Sequence, residues 1–154
     1  MSSARWPAAL LAFVACPGVV AIALPLTWLA ATSGLHIAWP PGVIVLIVGL
    51  GALLGCVRDF YVTGRGTLAP WAPPQQLVTI GLYRYSRNPM YLAVLLMLLG
   101  WALATRSRGL FLYAAMIGVG FHLRVVLGEE PRLGRTYGTA WQAYANQVPR
   151  WVLR

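Results

Sequence analysis

Residues 8–33, AALLAFVACPGVVAIALPLTWLAATS, run for 26 consecutive positions without a charged side chain. A helix covers a hydrocarbon core about 30 Å thick with roughly 20 residues, so the stretch reads as a membrane-spanning helix. The apolar run carries on past Cys16 and Pro17, which reads as a retained span and not a cleaved leader. Pro17 and Pro25 remove two backbone donors and predict kinks, tolerated where neighbouring helices supply donors to the freed carbonyls. The rest of the chain shares this solvent preference: of 154 residues 59% are hydrophobic and 10% charged, against about a quarter charged in soluble domains. All twelve basic residues are arginine, and the acids are Asp59, Glu129 and Glu130. A net charge of +9 on so apolar a chain points to a membrane and excludes a soluble nucleic-acid binder as the first reading. Cys16 and Cys56 lie far apart in apolar runs, which excludes a disulfide framework and a CxxC metal pair; no metal is expected.

Outward from that first span, a second run over 42–57 follows the Trp39-Pro40-Pro41 turn and ends at Arg58 and Asp59. A third covers 89–105, and a fourth, 109–127, carries His122 and Arg124 near its end. The expected fold is all-α, one membrane domain over 1–154: a polytopic bundle of about four transmembrane helices, a cytoplasmic connecting segment over 58–88 and a C-terminal amphipathic helix in a tail over 129–154. Four spans put both termini on one side. Ten arginines fall on that side and only Arg106 and Arg108 opposite, so the positive-inside rule makes the termini, connecting segment and tail cytoplasmic. In the tail, Leu133, Tyr137, Trp141, Tyr144 and Val148 recur at helical spacing along one face, with Pro149 as the expected stop. Whether that face meets lipid or protein is open at this level. The absence of Lys and the wealth of Ala, Gly, Pro and Arg suggest a GC-rich coding sequence and a bacterial inner membrane.

Two features bear chemistry. A carboxylate near hydrocarbon is unfavourable by about 3 kcal/mol, yet Glu129 and Glu130 stand together directly after the fourth run. One reading sets them against the positive N-terminal end of the tail helix, with Pro131 in its first turn; the other sets them against a polar ligand. At the mouth of the third run lies Tyr83-Arg84-Tyr85-Ser86-Arg87-Asn88-Pro89-Met90-Tyr91. Arg87 offers a planar fork for a carboxylate, and Tyr83 and Tyr91 offer faces for an adenine or a cation. An anionic and a cationic, aromatic site at one membrane depth describe a pocket for a zwitterion.

GLYRYSRNPMYLAVLLMLLG, an apolar hairpin and then EEPRLGRTYGTAWQAYANQVPRW together resemble the isoprenylcysteine carboxyl methyltransferase family, which groups with the membrane phospholipid methyltransferases. That family carries G-x-Y-x-x-x-R-H-P-x-Y, a hairpin, E-E-x-x-L, F-G-x-x-Y-x-x-Y and V-P, and the likeness covers Leu77 to Trp151. The resemblance implies an integral-membrane methyltransferase using S-adenosylmethionine. By the same likeness the cofactor would be held by Gln75, Gln76, Leu77, Val78, Tyr83, Asn88, Pro89, Met90, Tyr91 and Glu129. Asn88 stands where the family usually has His; an amide both donates and accepts but takes no proton.

Charge complementarity sets Arg87 against the cofactor carboxylate and Glu129 or Glu130 against its ammonium or ribose. The acceptor then decides the remaining roles. A lipid-linked carboxylate is already ionised and needs only a cation, for which Arg124 is the candidate, although the family's substrate arginine falls in register with Val125. An amine would have to lose a proton, to Glu130 or His122. His122 on an apolar run reads first as a packed, hydrogen-bonded residue, and Asp59 beside Arg58 as a structural pair or cap. Arg87, Glu130 and Arg124 are thus the reaction candidates. The leading expectation is methyl transfer to the carboxylate of an isoprenylcysteine-like compound. The alternatives are phospholipid N-methylation and a non-catalytic lipid-binding or carrier protein.

Overall fold

A computed structural model of the chain describes residues 14–32, 34, 36–64 and 77–152. Among these the protein is all helix and turn. A π-helical stretch, Val14–Ala23, runs into α1 (Leu24–Thr32). α2 (Pro41–Gly64), α3 (Pro89–Thr105) and α4 (Arg108–Arg124) follow. A π-helical turn, Val125–Glu129, then leads into α5 (Glu130–Tyr137) and α6 (Thr139–Gln147).

The prolines of the first run explain its irregular winding. Pro25 has no N–H, so the carbonyls of Ala21 and Val20, four and five residues before it, lose the donor an α- or π-turn would supply. Trp101 donates its indole N–H to Ala21 O at 3.0 Å, and Tyr113 its hydroxyl to Val20 O at 3.1 Å. Side chains of α3 and α4 thus take over the missing backbone donor.

α2 and α3 form the tightest seam, and glycine makes it. A Cβ on Gly42 would meet the backbone of Ala104, one on Gly49 would meet Met97 at 2.8 Å, and one on Gly100 would meet Leu46 N at 2.5 Å. Positions 42, 46 and 49 thereby face 104, 100 and 97, an antiparallel register. In lipid, where burying apolar surface drives nothing between helices, such close backbone approach is what holds them. Ala21, Leu53, Ala93, Val94, Met97, Leu98 and Ala114 fill the core beside the seam. Ile44, Ile47 and Leu54 of α2 and Leu112, Met116, Val119, Leu123 and Leu127 of the fourth run point outward and are exposed. So much outward apolar surface fits a lipid environment.

Sequence and structure part at four places. Among the described residues two helical stretches are long and apolar enough to cross a membrane, Pro41–Asp59 with 19 residues and Arg108–Tyr137 with 30. Pro17–Thr32 and Pro89–Thr105 are shorter apolar helices, so length supports two of the four expected spans. The second run does not stop at Val57; α2 winds on to Gly64. The fourth does not stop at Leu127. Pro131 lacks the N–H that would return to Leu127, and the chain widens into the π-turn, with Glu130 N–H reaching Val125 O five residues back. Glu129 and Glu130 therefore lie within a continuing helix and not after one. Finally, the single tail helix is two, broken at Gly138 with φ 51 and ψ −120, a conformation that side chains with a Cβ avoid.

Candidate functional site

The site forms where the turn before α3 meets the end of the fourth run. Gly81, at φ 57, begins the turn, and the Asp59 carboxylate of α2 packs where a Cβ would stand. A short 3₁₀ turn, Gly81–Arg84, follows, and Tyr83 is buried among Cys56, Val78 and Met90. Ser86 is buried as well: its Oγ accepts Asn88 N–H at 3.1 Å and donates to Arg150 O at 3.3 Å. Pro89 then opens α3, where its missing N–H has no intrahelical role.

Against this turn stand the two acids. Glu130 Oε1 accepts from Arg87 Nη1 and from Arg150 Nε, both at 2.9 Å, and its Oε2 accepts from Arg150 Nη2 at 2.7 Å. The Arg87 and Glu130 side chains are each 15% exposed. Glu129 Oε1 accepts the Tyr91 hydroxyl and Arg124 Nε, the latter at 2.9 Å, and Arg124 Nε also lies 3.0 Å from the Tyr91 oxygen. Two adjacent carboxylates thus look to different cations, one enclosed, the other toward Arg124, whose side chain is 61% exposed. Charge-assisted bonds of this length are about twice as strong as neutral ones.

The tail closes the nest. Trp141, Tyr144 and Val148 pack with Leu77, Leu133 and Tyr137, so the stripe read from the sequence meets protein. Arg87 lies over the Trp141 ring at 5.7 Å, and Tyr144 donates its hydroxyl to Tyr83 O at 2.7 Å. α6 ends at Gln147 as Val148 turns extended ahead of Pro149. Arg87 N–H then bonds Pro149 O at 2.9 Å and Asn88 Nδ2 bonds Arg150 O at 3.0 Å. Trp151 Nε1 donates to His122 Nδ1 at 3.3 Å with the rings stacked. Burial, with nearby negative charge adding to it, raises the Tyr83 phenol well above its usual range; burial lifts Tyr144 to about 12 against the opposing Arg87. Both hydroxyls stay protonated near neutrality, as donors and not bases. Hydrogen bonding to Glu130 raises Arg150 further.

Several candidate residues are arranged differently from the reading of the chain. Arg87, Asn88, Tyr91, Arg124, Glu129 and Glu130 do come together. The Arg87 fork, however, cannot grip a carboxylate with two free arms: Nη1 holds Glu130, and Nε, buried and without a hydrogen-bond partner, is the donor left over. The Tyr83 face offered to an adenine or a cation is covered by its neighbours. Tyr91 packs on Phe121 with ring centroids 4.5 Å apart, Leu77 on the tail cluster, Val78 and Met90 beside Tyr83. Gln75 and Gln76 lie outside the described residues. Sequence reading gives Arg150, Ser86 and Trp151 no site role and Trp141 only a place on the tail stripe; the V-P signal just before Arg150 is the available pointer.

Beside this nest, on the outer side of the α3–α4 hairpin, Leu92, Leu95, Ala115, Gly118, Val119, His122 and Trp151 line an open, largely apolar cleft of about 490 Å³.

Helices with outward apolar faces that carry, among the described residues, a polar, charge-paired cluster at one end fit an integral membrane protein. The family model described as phospholipid methyltransferase matches residues 41–140, well over half of the chain and both walls of the site, and the chain belongs to that family. No curated protein and no solved structure matches it. Its class is therefore that of the membrane methyltransferases.

Proposed function

We propose that the protein transfers a methyl group from S-adenosylmethionine to a lipophilic acceptor at the cytoplasmic membrane face, the acceptor being the carboxylate of an isoprenylcysteine-like compound. The observation that carries this reading is the direct bonding between the α3 mouth and the acidic pair, Arg87 to Glu130 and Tyr91 to Glu129. The donor set fits a zwitterion. Arg87 Nε is a buried donor without a partner, suited to the carboxylate, and Glu129 suits the ammonium or ribose. Asn88, Pro89, Met90 and Tyr91 with Leu77 and Val78 form the wall, and Gln75 and Gln76 remain candidates from the likeness. When bound, the cofactor supplies an electrophilic methyl on a sulfonium. The chain's part is to align the two reactants and exclude water, a contribution of roughly 7–11 kcal/mol in well-oriented systems.

The choice of acceptor rests on bases that are already occupied. Both Glu130 oxygens accept arginine N–H groups, and His122 Nδ1 accepts from Trp151. Neither is placed to take a proton from an ammonium, whereas a carboxylate needs none removed. Arg124, exposed beside Glu129, is the cation for it. The hydrocarbon tail of the acceptor fits the cleft lined by Leu92, Leu95 and Gly118, reached from the bilayer between helices. The matched family's own description favours a second reading, methylation of a phospholipid amine. A lipid binder or carrier that keeps the fold without the chemistry is the non-catalytic alternative. In this reading the chain is one domain with four spans, both termini cytoplasmic, in a bacterial inner membrane, the short first and third helices being accommodated by local thinning of the bilayer and by flanking residues that reach its surface.

Mass spectrometry of membrane lipids with and without the gene tests it. A prenylcysteine-type acceptor gaining one methyl is expected, and a methylated amine headgroup instead would select the second reading. Calorimetry of the detergent-solubilised chain with S-adenosylmethionine adds the class test, since no heat would favour the non-catalytic alternative.

A further inference from the structure

Arg150 touches both walls of the site at once. Its carbonyl accepts from Ser86 Oγ and Asn88 Nδ2, at 3.3 and 3.0 Å, in the turn ahead of α3. Its guanidinium spans both oxygens of Glu130, at 2.9 and 2.7 Å. Glu130 is also the partner of Arg87, and this sharing has a geometric result. A free carboxylate draws an arginine into a fork-to-fork pair with two parallel N–H bonds. Arg150 occupies Oε2 and shares Oε1, so Arg87 meets Glu130 through Nη1 at 2.9 Å while its Nε–H stays buried and without a partner. An orphaned buried donor on a cation is costly and persists where the surroundings hold it.

We propose that Arg150 is a positioning residue for the methyl-transfer site: by filling Glu130 it keeps Arg87 in a one-bond pairing, so that the Arg87 Nε–H remains unpaired and able to bond the carboxylate of the ligand's amino-acid group. The inference rests on the reading given under Proposed function. Without Arg150, Arg87 swings onto both Glu130 oxygens and the donor is lost, although the two charges stay paired.

The test uses the full chain in detergent and two probes measured by calorimetry. S-adenosylhomocysteine carries the amino-acid carboxylate; methylthioadenosine has the same adenosine thioether without it. Wild type is expected to bind the first more tightly. Arg150→Ala is expected to weaken S-adenosylhomocysteine about tenfold or more and leave methylthioadenosine unchanged, collapsing the preference. Arg150→Lys, which retains the charge but not the fork, serves as the second variant should Arg150→Ala not fold; it is expected to lose part of the preference at the wild-type melting temperature. Equal weakening of both probes, or an unaltered preference in a folded Arg150 variant, overturns the proposal. A wild type that binds neither probe overturns instead the methyltransferase reading on which it rests.

Discussion

The α2–α3 seam and the polar nest at the α3 mouth fix α3 to different neighbours, α2 in one and the end of the fourth run with the tail in the other, by opposite means. At the seam Gly42, Gly49 and Gly100 bring backbones and apolar side chains into contact, with no charge involved. At the nest three arginines and two glutamates from distant parts of the chain meet in one cluster. The seam needs only the absence of side chains, so its specificity is steric and it tolerates no added volume. The nest needs every partner present, because removing one member of an enclosed ion pair leaves the other uncompensated. The seam therefore sets how closely α2 and α3 approach, and the nest sets how the end of the fourth run meets the turn before α3.

The largest expected effect breaks the seam. Gly100→Leu drives a side chain into Leu46, whose N, Cα and Cβ already lie 2.5, 2.6 and 2.7 Å from a bare Cβ. Thermal unfolding in detergent should show a loss of about 3 kcal/mol, at the upper end of overpacking costs, with transfer activity lost alongside. Gly51→Leu on the same pair of helices meets nothing within 4 Å and should melt as wild type does. A similar loss in both variants would mean that glycine is not what makes the seam.

Next comes the enclosed acid. Glu130→Gln leaves Arg87 and Arg150 facing one neutral amide, and methyl transfer should drop about 100-fold, the scale of an ångström-sized misplacement, with helical circular dichroism retained. Full activity would make the Glu130 cluster a bystander. Glu129→Gln, at the more open pair, should weaken S-adenosylmethionine about tenfold, or about 1.4 kcal/mol, by calorimetry; unchanged affinity would reassign Glu129 to the fold. The smallest effect is expected from Trp151→Phe, which keeps a ring over His122 but removes the 3.3 Å bond. One exposed hydrogen bond is worth about 0.5–1.5 kcal/mol, so the KM for the acceptor should rise about threefold at constant kcat. A change in kcat would place His122 nearer the chemistry than its bond to Trp151 suggests.

Much of this was legible along the chain because hydropathy and spacing are local quantities. The uncharged stretch 8–33, Pro89 at a helix start and the stop before Pro149 all follow from single residues and their periods. Even the repair of the Pro25 gap was foreseeable as a need, though not that Trp101 and Tyr113 would meet it. The misreadings arose where two local signals compete. Pro131 after two acids reads as the start of a new helix, but a π-turn lets the old one continue. Gly138 interrupts an apolar stripe whose spacing runs on across it, so the periodicity gave one helix where backbone conformation makes two.

By itself the sequence determined the apolar character, the helical class and the two motif blocks that meet at the site, since each depends only on which residues follow one another. Tertiary structure decided the pairings. Glu130 answers Arg87 from 43 positions away and Arg150 from 20, and no spacing rule says that these two share one carboxylate while Glu129 turns to Tyr91 and Arg124. An ion pair is settled by which charges the folded helices bring within about 3 Å, and by how much water the surrounding packing leaves between them.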